Sequence, residues 1–149
     1  MVLWRISNYA SLDGSGGLRA SARWHTKGRR IAYLAETSAG ALTEVLVRLE
    51  LDPKSLPHKY KLLKAEAPDD ISMREITKAD LPEAWIYDEV TTRTIGDEWL
   101  TSRETALLRV PSVIVPESFN VLLNPAHPEA RKVVVIAYHE YPWDRRLLE

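Results

Sequence analysis

The sequence contains no cysteine. Disulfide bonds, cysteine nucleophiles and zinc or iron–sulfur sites with thiolate ligands are therefore excluded. The four histidines also lack a spacing that is typical of metal ligands. They are His25, His58, His127 and His139. We therefore expect no metal site.

Several nucleotide-binding and hydrolytic motifs are missing as well. The chain has neither the glycine pattern of a P-loop nor the glycine fingerprint of a dinucleotide-binding βαβ unit, and it has no Gly-x-Ser-x-Gly nucleophile elbow. Residues 11–17 are rich in serine, aspartate and glycine, and no helix is predicted after them. We interpret this segment as a loop.

An excess of charge of either sign is also missing. Lysine plus arginine number 20 and aspartate plus glutamate 21, so the formal net charge is -1. A general nucleic-acid or membrane-surface binder needs an excess of positive charge, so neither is predicted as a direct partner. The balance still allows a local cluster of arginines that faces a small phosphate ligand.

Long hydrophobic runs are absent too. The longest, residues 133–138, suits one buried strand and is too short to cross a bilayer. Residues 1–9 lack the basic segment and following apolar stretch of a secretory signal. We therefore expect a cytoplasmic protein.

The residues that are present predict one domain of mixed structure. A chain of 149 residues, 45% of them hydrophobic, can bury a core, and we expect a single domain over residues 1–149. Apolar patterns predict strands at residues 2–6, 22–25, 31–36, 59–65, 112–115 and 132–139. The turn at Thr26-Lys27-Gly28 suggests that the second and third of these strands form a hairpin, or at least a close pair.

Two helices are predicted between the strands. Apolar residues with helical spacing mark the first, and they are Leu42, Val45, Leu46 and Leu49. Thr37 or Ser38 can cap this helix, and Pro53 would end it. The second helix is predicted at residues 97–108, and residues 68–82 are predicted to form a surface loop with a helical turn. Because strands and helices do not alternate regularly, the pattern favours the α+β class over a doubly wound sheet.

Three residues could carry chemistry. Arg23 falls in a predicted strand, Tyr33 in an apolar run and Glu44 in the first helix. An arginine binds phosphates bidentately, a tyrosine stacks on a flat ring, and a carboxylate stabilises positive charge at a sugar carbon during glycosidic cleavage. Ordinary structural roles compete, because Glu44 lies opposite the apolar stripe of its helix and the other two suit a solvated strand residue and a core aromatic.

A second cluster surrounds the prolines Pro111 and Pro116. Ser112 and Asn120 could donate hydrogen bonds into a pocket, or the prolines could simply delimit an edge strand. The residues themselves do not decide between these interpretations.

The chain resembles the RES domain, a family named after an Arg, a Glu and a Ser. The matching segments, in order, are Leu3-Trp4-Arg5-Ile6, Gly17, Ala22-Arg23-Trp24-His25, Gly28, Tyr33-Leu34-Ala35-Glu36, Ala41-Leu42-Thr43-Glu44, Gly96-Asp97-Glu98-Trp99-Leu100, Leu108-Arg109-Val110-Pro111-Ser112, Val115-Pro116, Asn120, Leu123-Asn124-Pro125 and His127-Pro128. The ordered set extends over nearly the whole chain, which makes the resemblance specific.

The resemblance implies a fold similar to that of the mono-ADP-ribosyltransferase toxins, with a small split β core, flanking helices and a cleft for NAD. It implies the toxin of a type II toxin–antitoxin module that depletes NAD by cleaving the nicotinamide–ribose bond, as a glycohydrolase or phosphorylase. NAD is then the substrate, and no cofactor is expected. The implied partner is an Xre-type antitoxin, and the toxin reaches DNA only through it.

The resemblance also assigns roles to residues. Arg23 would hold the phosphates or ribose of NAD, Tyr33 would pack on the nicotinamide side, and Glu44 would stabilise the oxocarbenium-like transition state. The substrate pocket would be completed by Arg5, Ser112 and Asn120. Two alternatives stay open: transfer of ADP-ribose to a host protein, and a non-catalytic module that only binds the antitoxin.

Overall fold

The computed structural model describes residues 1–48 and 58–148. The strands are Val2–Ile6 (β1), Ala32–Ala35 (β2), Lys59–Glu66 (β3), Met73–Glu75 (β4), Leu107–Pro111 (β5), Phe119–Leu123 (β6) and Val134–Pro142 (β7). The α-helices are Gly16–Arg19 (α1), Ser38–Arg48 (α2) and Glu89–Ser102 (α3). Short 3-10 helices are Lys78–Asp80, Trp85–Tyr87, Pro128–Lys132 and Arg145–Leu148. The predicted roles of Leu49 and Pro53 in the first helix lie outside the described residues.

The strands form one mixed sheet in the order β4-β5-β6-β2-β1-β3-β7. Only β4 and β5 are parallel, and the other neighbours are antiparallel. The two halves of the sheet meet at β1 and β2, which share the single register pair Trp4↔Ala35. This narrow junction gives the split β core, and the predicted α+β class is confirmed.

Both faces of the sheet centre are buried. Successive residues of a strand point to opposite faces, so Leu107 and Leu108 of β5 enter two different hydrophobic clusters. The first cluster packs Leu3 and Leu63 on one face. The second cluster covers the other face with Trp99 of α3 and with Trp24 and Trp85, which precede α3 in the chain. The cleft described below lies on the side of the second cluster.

The predicted strand at residues 22–25 and its hairpin with residues 31–36 are wrong. Ala22 and His25 form only an isolated bridge, and β2 pairs with β1 and β6 instead. The backbone carbonyls of this segment accept hydrogen bonds from side chains of α3. The Arg93 Nε donates to the carbonyl of Ala22, and the Thr92 Oγ1 donates to the carbonyl of Arg23. Helix side chains therefore satisfy backbone groups that a strand would pair with a neighbour.

The helix predicted at residues 97–108 is confirmed only over residues 97–102, and the strand predicted at residues 112–115 is wrong. Helix α3 begins much earlier, where the Asp88 side chain accepts from the Thr91 backbone, and it ends at Arg103, which has a left-handed φ of 53°. The residues that follow form β5, and the segment 112–115 is a turn rather than a strand. It turns because the Ser112 Oγ accepts from the backbone nitrogens of Ile114 and Val115.

Other predictions differ in detail. The loop at residues 11–17 runs into the one-turn helix α1, which the sequence did not indicate. The loop at residues 68–82 contains the short strand β4 together with a 3-10 turn. The predicted strands at residues 2–6, 59–65 and 132–139 are confirmed, as is a cap at Thr37, whose Oγ1 accepts from the Gly40 nitrogen. No helix within residues 1–48 and 58–148 is long and apolar enough to span a membrane.

Candidate active site

A cavity of about 580 Å³ opens between α2, the first half of α3 and the segment 20–25. Five of the six predicted site residues line it: Arg5, Arg23, Tyr33, Glu44 and Asn120. Residues from β1, β2, β6, α2 and the segment before β2 thus converge on one hollow.

We call the side formed by Arg5, Tyr33, Glu44, Arg48 and Asn120 the α2 wall. The opposite side is the α3 wall, and it contains Arg23, Trp24, Glu89 and Arg93. The first wall holds most of the predicted site, and the second contains two lining residues from α3 that the sequence analysis did not single out.

Glu44 reaches the cavity because it lies on the face of α2 that is directed toward the sheet. Ala41, Glu44, Val45 and Arg48 have the spacing of one helical face, and all four line a small pocket between α2 and strands β1 and β2. Of these, Ala41 is buried, so the small side chain lies at the closest approach. The face of α2 that meets the sheet is therefore displaced by one residue from the expected stripe, which began at Leu42.

Two donors hold one oxygen of the Glu44 carboxylate. The Asn120 Nδ2 donates to Oε1 at 2.8 Å, and the Ser112 Oγ donates to the same atom at 3.3 Å. Because the Ser112 Oγ already accepts from two backbone N–H groups, its proton is directed at Glu44. Among the described residues, Oε2 has no hydrogen-bond partner, so the second oxygen is available to a ligand.

Ser112 therefore belongs to the site, but in a different way from the prediction. Its side chain is buried and does not line the cavity. It contributes to the site by donating a hydrogen bond to the Glu44 carboxylate. Asn120 both lines the cavity and holds Glu44.

Tyr33 is held by a histidine that the sequence analysis did not propose. The Tyr33 hydroxyl lies 2.8 Å from the His25 Nδ1 and accepts from the Trp24 backbone nitrogen. The His25 Nε2 faces the Gly17 carbonyl at 3.3 Å, and a carbonyl only accepts, so Nε2 carries the proton. Nδ1 is then the acceptor, and the tyrosine hydroxyl donates to it.

Burial perturbs both members of this pair. It raises the pKa of the Tyr33 hydroxyl, so the phenol stays protonated. It lowers the pKa of the His25 imidazole, which is 2% exposed, against hydrogen bonds to backbone that act in the opposite direction. A neutral histidine thus orients a neutral tyrosine. The only sequence signal for His25 was its place in the matched segment Ala22-Arg23-Trp24-His25.

Arg23 is built into the α3 wall. Its Nη2 donates to the Trp85 carbonyl, its guanidinium lies 5.7 Å from the centre of the Trp85 ring, and its Nη1 is 3.9 Å from a Glu89 oxygen. Its Nε is buried without a hydrogen-bond partner among the described residues. A buried donor of this kind is satisfied when a ligand or a water accepts from it.

The other charges of the α3 wall neutralise one another. The Arg93 Nη2 lies 2.8 Å from a Glu89 oxygen, one helical turn away, and its Nε donates to the Ala22 carbonyl. Glu89 and Arg93 were missed because the predicted start of α3 lay after both of them.

The α2 wall carries two further arginines. The Arg48 guanidinium lies 5.7 Å from the centre of the Tyr33 ring. Arg5 is half-buried, and burial, followed by the charge of Arg48, lowers its pKa. The cleft thus combines a fixed carboxylate, an aromatic hydroxyl and four arginines, a set that can bind an anionic ligand and stabilise positive charge beside it. Within residues 1–48 and 58–148, no three histidine, aspartate or glutamate side chains are grouped as metal ligands.

Known proteins resemble this chain over nearly its whole length. The model of the RES domain matches residues 2–144. The chain is 44% identical to a protein of Pseudomonas putida named Toxin Res, with 99% of each chain covered. It is 36% identical to a Sphingobium protein named Prs ADP-ribosylating toxin, with 97% of this chain and 95% of the relative covered.

A solved structure has a similar fold. It is the crystal structure of the M. tuberculosis MbcT–MbcA toxin–antitoxin complex, with a TM-score of 0.77 and 15% sequence identity. The match covers 95% of this chain and 84% of the other. At this identity the likeness concerns the fold.

Proposed function

The chain belongs to the RES-domain family, and we propose that it is the toxin of a toxin–antitoxin module, an enzyme that cleaves the bond between nicotinamide and ribose in NAD. The observation that carries the proposal is the Glu44 carboxylate, which two donors fix in a cleft that also contains Arg23 and Tyr33. The product that follows from this chemistry is free nicotinamide.

In the proposed reaction the bond between the ribose carbon and the pyridinium nitrogen breaks, and its electron pair leaves with nicotinamide as a neutral molecule. The ribose becomes an oxocarbenium ion, and the Glu44 carboxylate stabilises that positive charge. Water or phosphate then supplies the electron pair for the new bond and releases a proton to solvent. Because Ser112 and Asn120 hold Oε1 before the substrate arrives, little reorganisation is needed during the reaction.

The other site residues bind and orient the substrate. The Arg23 Nε–H has no acceptor among the described residues, and the ribose or the phosphates of NAD would supply one. The Tyr33 ring packs on the nicotinamide side, and His25 holds its hydroxyl. No cofactor is required, because NAD is the substrate.

The test is to incubate the purified protein with NAD and to measure nicotinamide by liquid chromatography, with and without phosphate. We expect ADP-ribose from attack by water or ADP-ribose 1″-phosphate from attack by phosphate. Glu44→Gln keeps the size of the side chain and an oxygen acceptor, and we expect turnover to fall at least about 100-fold. The control is Glu140→Gln, an exposed residue of β7 paired with Lys61. Undiminished turnover in Glu44→Gln would remove the carboxylate from the mechanism.

Transfer of ADP-ribose to a protein is the second candidate. The Sphingobium relative, which is named an ADP-ribosylating toxin, favours it, and the first bond-breaking step is the same. NAD labelled in its adenylate half separates the two in a bacterial lysate. Label on a protein band supports transfer, and label only in small molecules supports NAD depletion.

The proposed partner is an antitoxin of Xre type, and the toxin contacts DNA only through it. The support is the fold shared with a chain of a toxin–antitoxin complex, together with a formal net charge of -1. Copurification with the product of the adjacent gene tests this. Normal growth and unchanged cellular NAD on expression of the chain alone would instead favour a non-catalytic module.

A further inference from the structure

We propose that Arg5 and Arg48 together bind the diphosphate of the substrate, and that they, rather than Arg23, determine the requirement for a diphosphate. The inference rests on the proposed function for the identity of the natural ligand. The binding site itself is argued from the charges of the cleft.

The four arginines of the cleft fall into two kinds. Arg23 and Arg93 both approach Glu89, and both donate to backbone carbonyls. Arg5 and Arg48 form no ion pair or hydrogen bond with any residue among 1–48 and 58–148. Within the described part of the chain, the arginines without an ion pair are therefore those of the α2 wall.

Placing two cations near each other without a counterion is unfavourable. Arg48 lowers the pKa of Arg5, as burial does, and Asp13 offsets only part of this. A ligand with two adjacent negative groups would relieve the repulsion and use the donors of both guanidinium groups. A diphosphate has this character, whereas one carboxylate offers a single charge.

The position of the pair relative to Glu44 fits a sugar diphosphate. Arg48 follows Glu44 by four residues on the same helical face, a rise of about 6 Å. A sugar whose anomeric carbon lies at Glu44 can therefore reach Arg48 with its 5′-phosphate when its C5′ is directed along α2. Ligand binding does not have to break an ion pair first, because Glu44 and Arg48 form none.

The cleft also continues beyond Arg5. A second cavity of about 310 Å³ lies on the other side of Arg5 and is lined by the segment between β1 and α1. A diphosphate bound at Arg5 can thus carry a further group outward, as a dinucleotide does.

Binding of ADP-ribose and of inorganic pyrophosphate, measured by isothermal titration calorimetry, tests the pair without catalysis. We expect Arg48→Gln to weaken both about tenfold or more, which is the loss of one charge-assisted contact. Arg48→Lys, which keeps the charge but not the bidentate group, should recover part of the affinity. The matched control is Arg131→Gln, an exposed arginine away from the cleft. Arg48 is exposed at the end of α2, so loss of the fold is not expected.

Steady-state kinetics give a second measurement. Arg48→Gln should raise the KM for NAD more than it lowers kcat, and it should reduce kcat/KM for nicotinamide riboside, which has no phosphate, much less than kcat/KM for NAD. Equal affinity of wild type and Arg48→Gln for both diphosphates would overturn the inference.

The two proposals can fail separately. If pyrophosphate binds in an Arg48-dependent way and NAD is not cleaved, the diphosphate site stands and the proposed reaction is wrong. If NAD is cleaved and Arg48→Gln behaves as wild type, the reaction stands and the diphosphate site is wrong.

Discussion

The α3 wall and the α2 wall of the cleft carry two arginines each, but their charges are compensated differently. On the α3 wall, Glu89 lies beside both Arg23 and Arg93. On the α2 wall, the carboxylate of Glu44 is held by Asn120 and Ser112, and it pairs with neither arginine. On the α3 wall the carboxylate pairs with the arginines, whereas on the α2 wall neither the carboxylate nor either arginine forms an ion pair with any residue among 1–48 and 58–148.

Because of this difference, the two walls have different roles in the cleft. A wall whose charges are paired in the free protein contributes a rigid surface and little electrostatic affinity, because a ligand would have to replace existing contacts. A wall whose cations lack partners gains those contacts only when a ligand binds. Changes that disturb the packing of the α3 wall should therefore act mainly on folding, and changes to the charged groups of the α2 wall mainly on turnover and ligand affinity.

The largest effect is expected from Gly96→Ala, which should break the α3 wall. A methyl group at this position would overlap the backbone carbonyl of Trp24, so the helix has to move away from the segment that carries Arg23. In an exposed helix the same change usually stabilises by about 1 kcal/mol. Here we expect a loss of about 3 kcal/mol in the free energy of unfolding, measured by urea denaturation.

Gly16→Ala is the matched control for this prediction. A methyl group at Gly16 meets no atom within 4 Å, and its φ is not in the left-handed region. Its stability should stay within about 1 kcal/mol of wild type. Equal stability of the two variants would show that α3 does not depend on close contact at Gly96.

The two walls also differ in how well the sequence predicted them. The resemblance named Glu44, but the apolar spacing placed it away from the core, because Leu42 and Leu46 dominate that pattern. The helix instead packs through Ala41, whose small size permits the close approach. Periodicity weights large apolar residues, so a face built around alanine is easily misassigned.

The α3 wall was missed for a different reason. The first turns of α3 line a polar cleft and have no apolar stripe, so the helix was predicted only from residue 97 onward. Two local signals were present: Asp88, which caps the helix through Thr91, and the pair Glu89 and Arg93 at i, i+4. No local pattern could predict that α3 side chains satisfy the backbone of residues 22–25, since these contacts join residues about 70 positions apart.

Asn120→Asp tests the electrostatics of the α2 wall. The new carboxylate would lie where the amide now donates to Glu44 at 2.8 Å, so it would replace an attraction by repulsion between like charges. We expect kcat for nicotinamide release to fall about 100-fold. Asn120→Ala removes the donor without adding charge and should cost about tenfold. A variant with Asp that is as active as the one with Ala would mean that the charge of Glu44 is not important.

His25 predicts a pH dependence of folding. Burial lowers its pKa in the folded protein below the ordinary value of 6.5, so at lower pH the unfolded chain binds a proton that the folded protein resists. This penalty is absent above pH 6.5 and grows as the pH falls below it. We expect the Tm of wild type to drop more between pH 7.5 and pH 5.5 than the Tm of His25→Gln.

The pH dependence of turnover gives a second measurement on wild type and His25→Gln. Protonated His25 cannot accept from Tyr33, so turnover of wild type should fall as the pH drops through the lowered pKa of His25, and His25→Gln should follow a flatter profile. Parallel Tm curves for the two proteins would indicate that the pKa of His25 is the same in the folded and the unfolded chain.

The smallest effect is expected from Glu89→Gln, which should make the α3 wall resemble the α2 wall. The Glu89 side chain is 52% exposed, so loss of its ion pairs should change the free energy of unfolding by less than about 1 kcal/mol. Arg23 and Arg93 would then lack a compensating carboxylate, and a diphosphate should be attracted to both walls. We expect the affinity for ADP-ribose to rise about twofold to threefold at low ionic strength and the gain to disappear at high salt, because exposed charges are screened. Unchanged affinity at low salt would mean that the potential of the cleft is set by the α2 wall alone, whereas weaker binding would mean that Glu89 holds Arg23 in the orientation that the ligand requires.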